Sequence, residues 1–204
     1  MTCSATTAET AASSGPSPPR FWILAVAVLV AGCPILELEK SPFYCPTINI
    51  LADAASVTRF RDGPGRDIID VAHEGEIRDI LAAKCKHDID KDSGEGLLTV
   101  KFSLVIEAEL GPAADDRKPA FGYFVSITDG SFNILQKELF RFPVEFSGNR
   151  TRVTAEDEKV TLDIPLKAGQ DGRDFEVFIG FQLSQEQLEY NRRRRTGKER
   201  PVSP

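Results

Sequence analysis

The chain has 204 residues, 41% apolar and 27% charged, with 13 Pro and 15 Gly, which is the make-up of a globular protein with room for one domain of common size. Its 25 basic and 31 acidic residues give a net charge of −6. That balance argues against a dedicated nucleic-acid binder, which needs a cationic footprint to displace counterions from phosphates. A single long apolar run excludes a polytopic membrane protein, and no self-similar period marks a repeat architecture.

Residues 1–20 are rich in Ala, Ser, Thr and Pro and end in Arg20; residues 21–32 (FWILAVAVLVAG) are apolar without interruption and meet Cys33. The order is that of n-region, h-region and cleavage site. As a helix this run reaches about 18 Å against ~30 Å of hydrocarbon, and Pro34 opposes continuation, so a permanent spanning helix is disfavoured. A plain secretory leader and a short signal anchor are the alternatives. Each of these exports the remainder, and Arg20 before the run with Glu37 and Glu39 after it fits the positive-inside rule.

Val30-Ala31-Gly32-Cys33 resembles the lipobox of bacterial lipoproteins. The resemblance implies that Cys33 is diacylated, that the leader is cut just before it, and that the new amino terminus is acylated. A long n-region carrying Glu9 departs from the pattern. Each buried methylene of such a lipid contributes about 0.8 kcal/mol, so several chains anchor durably. The expected organisation is a signal peptide over 1–32, a tether over 33–43, a folded domain over 44–195 and a disordered basic tail over 196–204. The folded part is expected in the cell envelope, lipid-anchored and facing the periplasm.

With Cys3 lost in the leader and Cys33 lipidated, Cys45 and Cys85 remain as an even pair in an oxidising compartment, where a disulfide is the default. Two buried free thiols are the alternative.

Beyond Cys45, apolar residues fall at every second position. Ile48 and Ile50 suggest a short first strand, and Ile69, Val71, Ile77 and Leu81 a second over 67–81. A third runs through Leu98, Val100, Phe102, Leu104, Ile106, Ala108 and Leu110. The same alternation recurs from Phe121 to Ile127, from Phe140 to Phe146, from Val160 to Leu166 and from Phe175 to Leu183. Turn chemistry separates the strands: Asp62-Gly63-Pro64-Gly65, Gly111-Pro112, Asp129-Gly130 and Ser147-Gly148-Asn149. Asp129-Gly130 predicts a type I′ hairpin turn. About seven half-buried strands without crossover helices predict an all-β protein, an antiparallel β-sandwich of immunoglobulin-like or fibronectin-like architecture. The tryptophan of antibody-type cores is missing, since Trp22 lies in the leader. Ser184-x-x-Gln187 has capping-box spacing and predicts a short terminal helix to Arg195.

Four features bear on function. Asp88, Asp90 and Asp92 alternate in an acidic, Gly-containing loop, and their oxygens suit Ca²⁺; Ser93 and Thr99 break the EF-hand template, and a merely solvated loop is the alternative. His73 falls on the buried register and reads as a core ring with one hydrogen bond. His87 lies beside the acidic loop without a second histidine at ligand spacing. Glu74 and Glu76 lie opposite His73 and solubilise the sheet. Arg192, Arg193, Arg194, Arg195, Lys198 and Arg200 form a basic segment; without it and Glu199 the chain carries 19 basic against 30 acidic residues, a net of −11. That segment suits an anionic lipid surface, or simply keeps a tethered protein soluble. Finally, Phe124 and Phe178 fall on outward positions, as do Leu135 and Leu139. They require either the terminal helix, through Leu188 and Tyr190, or another envelope protein to cover them.

V-A-G-C-P at the leader's end, Cys45-Pro46, the Gly63-Pro64-Gly65-Arg66-Asp67 turn and the closing GFQLSQEQLEYNR from Gly180 together resemble a group of small uncharacterised lipoproteins of alphaproteobacteria. The resemblance implies no activity and no catalytic residues. Signatures of nucleophilic, nucleotide-binding or dinucleotide-binding enzymes are absent from the sequence. The expectation is a non-enzymatic envelope module that docks a partner through a sheet face, with a calcium-binding module at Asp88, Asp90 and Asp92 as the alternative.

Overall fold

Strict alternation of apolar side chains is what builds the two sheets of the computed structural model, which describes residues 43–197. The expected leader over 1–32, the expected lipidation site Cys33, the expected tether to residue 42 and the chain from Lys198 lie outside the described residues. Contacts divide the chain into Met1–Lys40 and Ser41–Pro204, and every described residue belongs to the second unit.

The strands are β1 (Thr47–Ile50), β2 (Ser56–Phe60), β3 (Val71–Ile89), β4 (Gly96–Leu110), β5 (Ala120–Asp129), β6 (Ile134–Pro143), β7 (Arg152–Glu156), β8 (Val160–Leu166) and β9 (Phe175–Phe181). Among the described residues a single α-helix, α1 (Gln185–Arg195), follows. One sheet runs β1-β9-β5-β6; the other runs β2-β3-β4-β7, with β8 also on β4. Every pairing is antiparallel except β1 with β9, which is parallel and departs from the expected all-antiparallel arrangement.

The long strand β4 shows why alternation was so legible. Leu98, Val100, Phe102, Leu104, Ile106 and Ala108 are all essentially buried, and they join Phe121, Tyr123, Val125 and Ile127 of β5 and Val177, Ile179 and Phe181 of β9 in one core cluster. Burying a side chain of this size contributes about 1.5–3 kcal/mol. The first half of β4 pairs with β8 and the second with β7, so one edge is shared by two short strands. Tyr123, in this core, has its hydroxyl pushed far above its ordinary range by burial, with the neighbouring Asp157 acting in the same sense.

Three strand expectations need correction. The strand placed at 67–81 starts only at Val71 and continues to Ile89. Asp67 caps a 3₁₀ turn over Ile68–Asp70, which leaves Ile69 exposed where alternation had it inward. The strand placed from Phe140 to Phe146 runs instead from Ile134 to Pro143; Val144 and Phe146 are buried but extend beyond it, hydrogen-bonded to Pro119 and Arg117. Finally, β2 and β7 raise the count above about seven.

Cys45 and Cys85 form the expected disulfide, tying the residue ahead of β1 in one sheet to β3 in the other. In the chain-entropy account, closing a loop of this length is worth roughly 4 kcal/mol.

Candidate functional site

Strand β5 alternates Phe121, Tyr123, Val125 and Ile127 inward, which leaves Phe124 outward opposite Leu139 of β6 and Gly180 of β9. Phe178 of β9 lies opposite Ser126 on the same face. Both phenylalanines are half-buried. On β6, one of the two edge strands of this sheet, Leu135 and Leu139 are 55% and 67% exposed. The face proposed from the sequence therefore brings Phe124, Phe178 and Leu139 into one neighbourhood, with the leucines its most open part.

Two residues the sequence did not single out extend it. Ile134 is 64% exposed, and Phe132, at the tip of the β5–β6 hairpin, is 66% exposed with its ring centroid 6.2 Å from that of Phe178. The hairpin is not the expected type I′ turn. Phe132 N–H donates to Asp129 O, Asp129 N–H to Asn133 O, and the left-handed residue is Phe132 (φ 62°), not Gly130. This is a three-residue loop of the bulge class, with a phenylalanine where glycine is usual. The Asp129 carboxylate stabilises it by accepting from the N–H groups of Ser131 and Asn133 and from the Asn133 side chain. Those bonds, led by Asn133, hold Asp129 below the usual carboxylate range.

Helix α1 does not cover the leucines. Ser184 and Gln187 form the expected capping box, and Gln187 also donates to Thr58 O. The buried Asn191 donates to the carbonyls of Asp53 and Ser56, and Tyr190 packs edge-on against Phe60 of β2. The helix is thereby fixed along β2, with Leu188, Arg192 and Arg195 reaching the margin beside Phe124. The arginines expected to face lipid have carboxylate partners: Arg192 and Arg195 both reach Asp53, Arg194 reaches Glu74, and Arg193 reaches Glu189. All four stay roughly half-exposed.

The outer face of the other sheet is charged and internally paired. Arg78 bridges Glu76 and Glu107, Arg152 reaches Glu109, and Thr58 and Arg194 share Glu74. The hydrogen bond from Arg78 holds Glu107 below the usual carboxylate range. Each of these carboxylates thus has an arginine partner.

At the acidic loop, Asp88 belongs to β3, while Asp90 Oδ1 accepts from the N–H groups of Asp92 and Ser93 and from Ser93 Oγ. Asp90 thus organises its own turn, and the Ser93 N–H is the largest cause of its lowered pKa. Among the described residues no group of three or more His, Cys, Asp or Glu side chains is placed to hold a metal ion. His73 is buried with Nε2 2.8 Å from Asp116 O, as its register predicted; His87 stacks on Phe43 with centroids 4.8 Å apart. No helix among the described residues is long and apolar enough to cross a membrane.

Compared with protein-family models, curated proteins and solved structures, the chain matches none.

Proposed function

We propose that the protein is a lipoprotein of the cell envelope, anchored in a membrane through lipid on Cys33 and facing the periplasm, whose folded part is a non-enzymatic interaction module. In this reading the two sheets form an immunoglobulin- or fibronectin-like sandwich. Support comes from the chain path: it crosses from β4 to β5 and again from β8 to β9, with β4 beside β8 and β5 beside β9, an interlocking characteristic of Greek-key sandwiches. The Cys45–Cys85 disulfide fits an oxidising compartment, and the half-exposed arginines near the chain's end add attraction to anionic lipid.

The observation that carries the docking role is the row of Phe132, Ile134, Leu135 and Leu139, each more than half exposed, along one hairpin. Isolated exposed apolar residues are ordinary, whereas a contiguous group with an aromatic at its tip has the composition of an interface centre. The partner is another envelope protein presenting an apolar patch. Self-pairing through the β6 edge is disfavoured: an antiparallel pair centred on Lys137 or on Glu138 sets like charges opposite each other.

The test is cross-linking of the full chain in native envelopes, comparing wild type with Leu135→Ser/Leu139→Ser. A partner cross-linked by wild type and lost in the variant, with an unchanged melting temperature, is the expected result. Retention of the same partner overturns the docking face. The anchor is tested by intact mass, expected to equal residues 33–204 plus acyl groups.

A further inference from the structure

Adjoining the docking face at Phe124, and completed by the β1–β2 loop and α1, lies a groove of about 530 Å³, within the roughly 300–1,000 Å³ of small-molecule sites. Gly180 makes room for it. A Cβ there would stand 2.7 Å from the Ala54 Cβ and 3.3 Å from the Phe124 ring, so only glycine lets the β1–β2 loop approach this closely. That loop is laid along β9 by hydrogen bonds from Leu51 N–H to Ile179 O and from Phe181 N–H to Ala54 O. Leu51 and Ala54 of this loop line the groove together with Phe124 of β5 and Leu188 of α1.

The mouth carries the opposite chemistry. Lys137 Nζ stands 4.4 Å from the Phe124 ring centroid and has no carboxylate within ion-pair distance among the described residues. Arg192 and Arg195 also line the groove and share the single carboxylate of Asp53. Three cations against one anion leave the mouth positive.

We propose that this groove binds a single-chain anionic amphiphile of the long-chain fatty-acid class, its alkyl chain along Leu51, Phe124 and Leu188 and its carboxylate at Lys137, Arg192 and Arg195. The pairing of an apolar trough with a cationic mouth selects this class. A metal ion is repelled by the mouth, a bare anion leaves the trough unfilled, and a neutral lipid forgoes the charge-assisted hydrogen bonds. The trough has the volume for an alkyl chain but not for a helix of a partner protein.

The experiment uses the full chain in its native membrane and two photoreactive probes of equal length, a long-chain fatty acid and the corresponding fatty alcohol. The fatty acid is expected to label peptides containing Phe124 and Leu188 about tenfold more than the alcohol does, and free fatty acid to compete. Lys137→Glu and Leu188→Arg, checked for an unchanged melting temperature, are each expected to lower labelling about tenfold. Leu135→Ser/Leu139→Ser is expected to leave labelling unchanged, so failure of the docking face and failure of the groove are read separately. Equal labelling by the alcohol, or labelling elsewhere, overturns the proposal.

Discussion

Arg192 Nε donates to Asp53 Oδ2 at 2.9 Å, and this bond across 139 positions of sequence joins the terminal helix to the β1–β2 loop. Arg195 reaches the other oxygen of the same carboxylate at 2.7 Å. Asp53 is thus a shared anchor, and it stands at the mouth of the apolar groove.

Asn191 is the buried half of this latch. Its amide donates to Asp53 O at 3.0 Å and to Ser56 O at 2.7 Å from a side chain almost fully removed from water. Replacing it with Ala leaves both carbonyls short of a partner. Asn191→Ala is expected to cost about 1–3 kcal/mol in denaturant unfolding. A loss confined to a few tenths would show that water replaces the amide and that the helix is held by its arginines instead.

The ion pairs give the latch a pH dependence of definite sign. Asp53 is held below its ordinary value chiefly by the hydrogen bond from Arg192, with the charge of Arg195 helping and burial opposing. A carboxyl whose folded pKa lies below its unfolded value of about 3.9 contributes stability above that value and loses it as pH falls through the folded one. The stability gap between wild type and Asp53→Asn should therefore be present at neutral pH and close in acid below about pH 4. Taking the difference between the two proteins removes to first order the carboxylates common to both, among them Glu186 paired with Arg66, and leaves the contribution of Asp53. A gap constant down to strong acid would remove Asp53 as its source.

The reach of the sequence is visible in these same elements. Strands β4, β5, β8 and β9 were legible because each carries several apolar residues at period two, and the capping box marked α1 from Ser184. Strands β2 and β7 were not, being five residues long; β2 buries the adjacent Val57 and Thr58 instead of alternating. The outward positions of Phe124, Phe178, Leu135 and Leu139 followed from the same period. Asp53 had no local signature at all, since its role depends on a helix brought back from the far end of the chain. Gly180 has the pattern of one more strand residue, and what requires glycine there is Ala54, brought close from a distant part of the chain.

The acidic loop also yields a clear expectation. Asp90 Oδ1 already accepts three hydrogen bonds within its own turn, which leaves Oδ2 to a calcium ion, and among the described residues no two further His, Cys, Asp or Glu side chains are placed with it to complete a site. The melting temperature is expected to be the same in chelator and in millimolar Ca²⁺, whereas Asp90→Ala lowers it in both. A rise of several degrees with Ca²⁺ alone would restore Asp88, Asp90 and Asp92 as ligands.

Phe132 offers the sharpest separation of stability from docking. A phenylalanine at φ 62° occupies the left-handed region that glycine enters without cost, and such a residue carries about 1 kcal/mol or more of backbone strain. Its ring is two-thirds exposed and lies beside that of Phe178, so little burial offsets that strain. Phe132→Gly is expected to raise stability by up to about 1 kcal/mol while cross-linking of the envelope partner falls together with that of Leu135→Ser/Leu139→Ser. The two readouts move in opposite directions only if the ring is kept for contact with another molecule. If Phe132→Gly lowers stability instead, the ring serves to close the outer face over Phe178, and the docking surface shrinks to the leucines of β6.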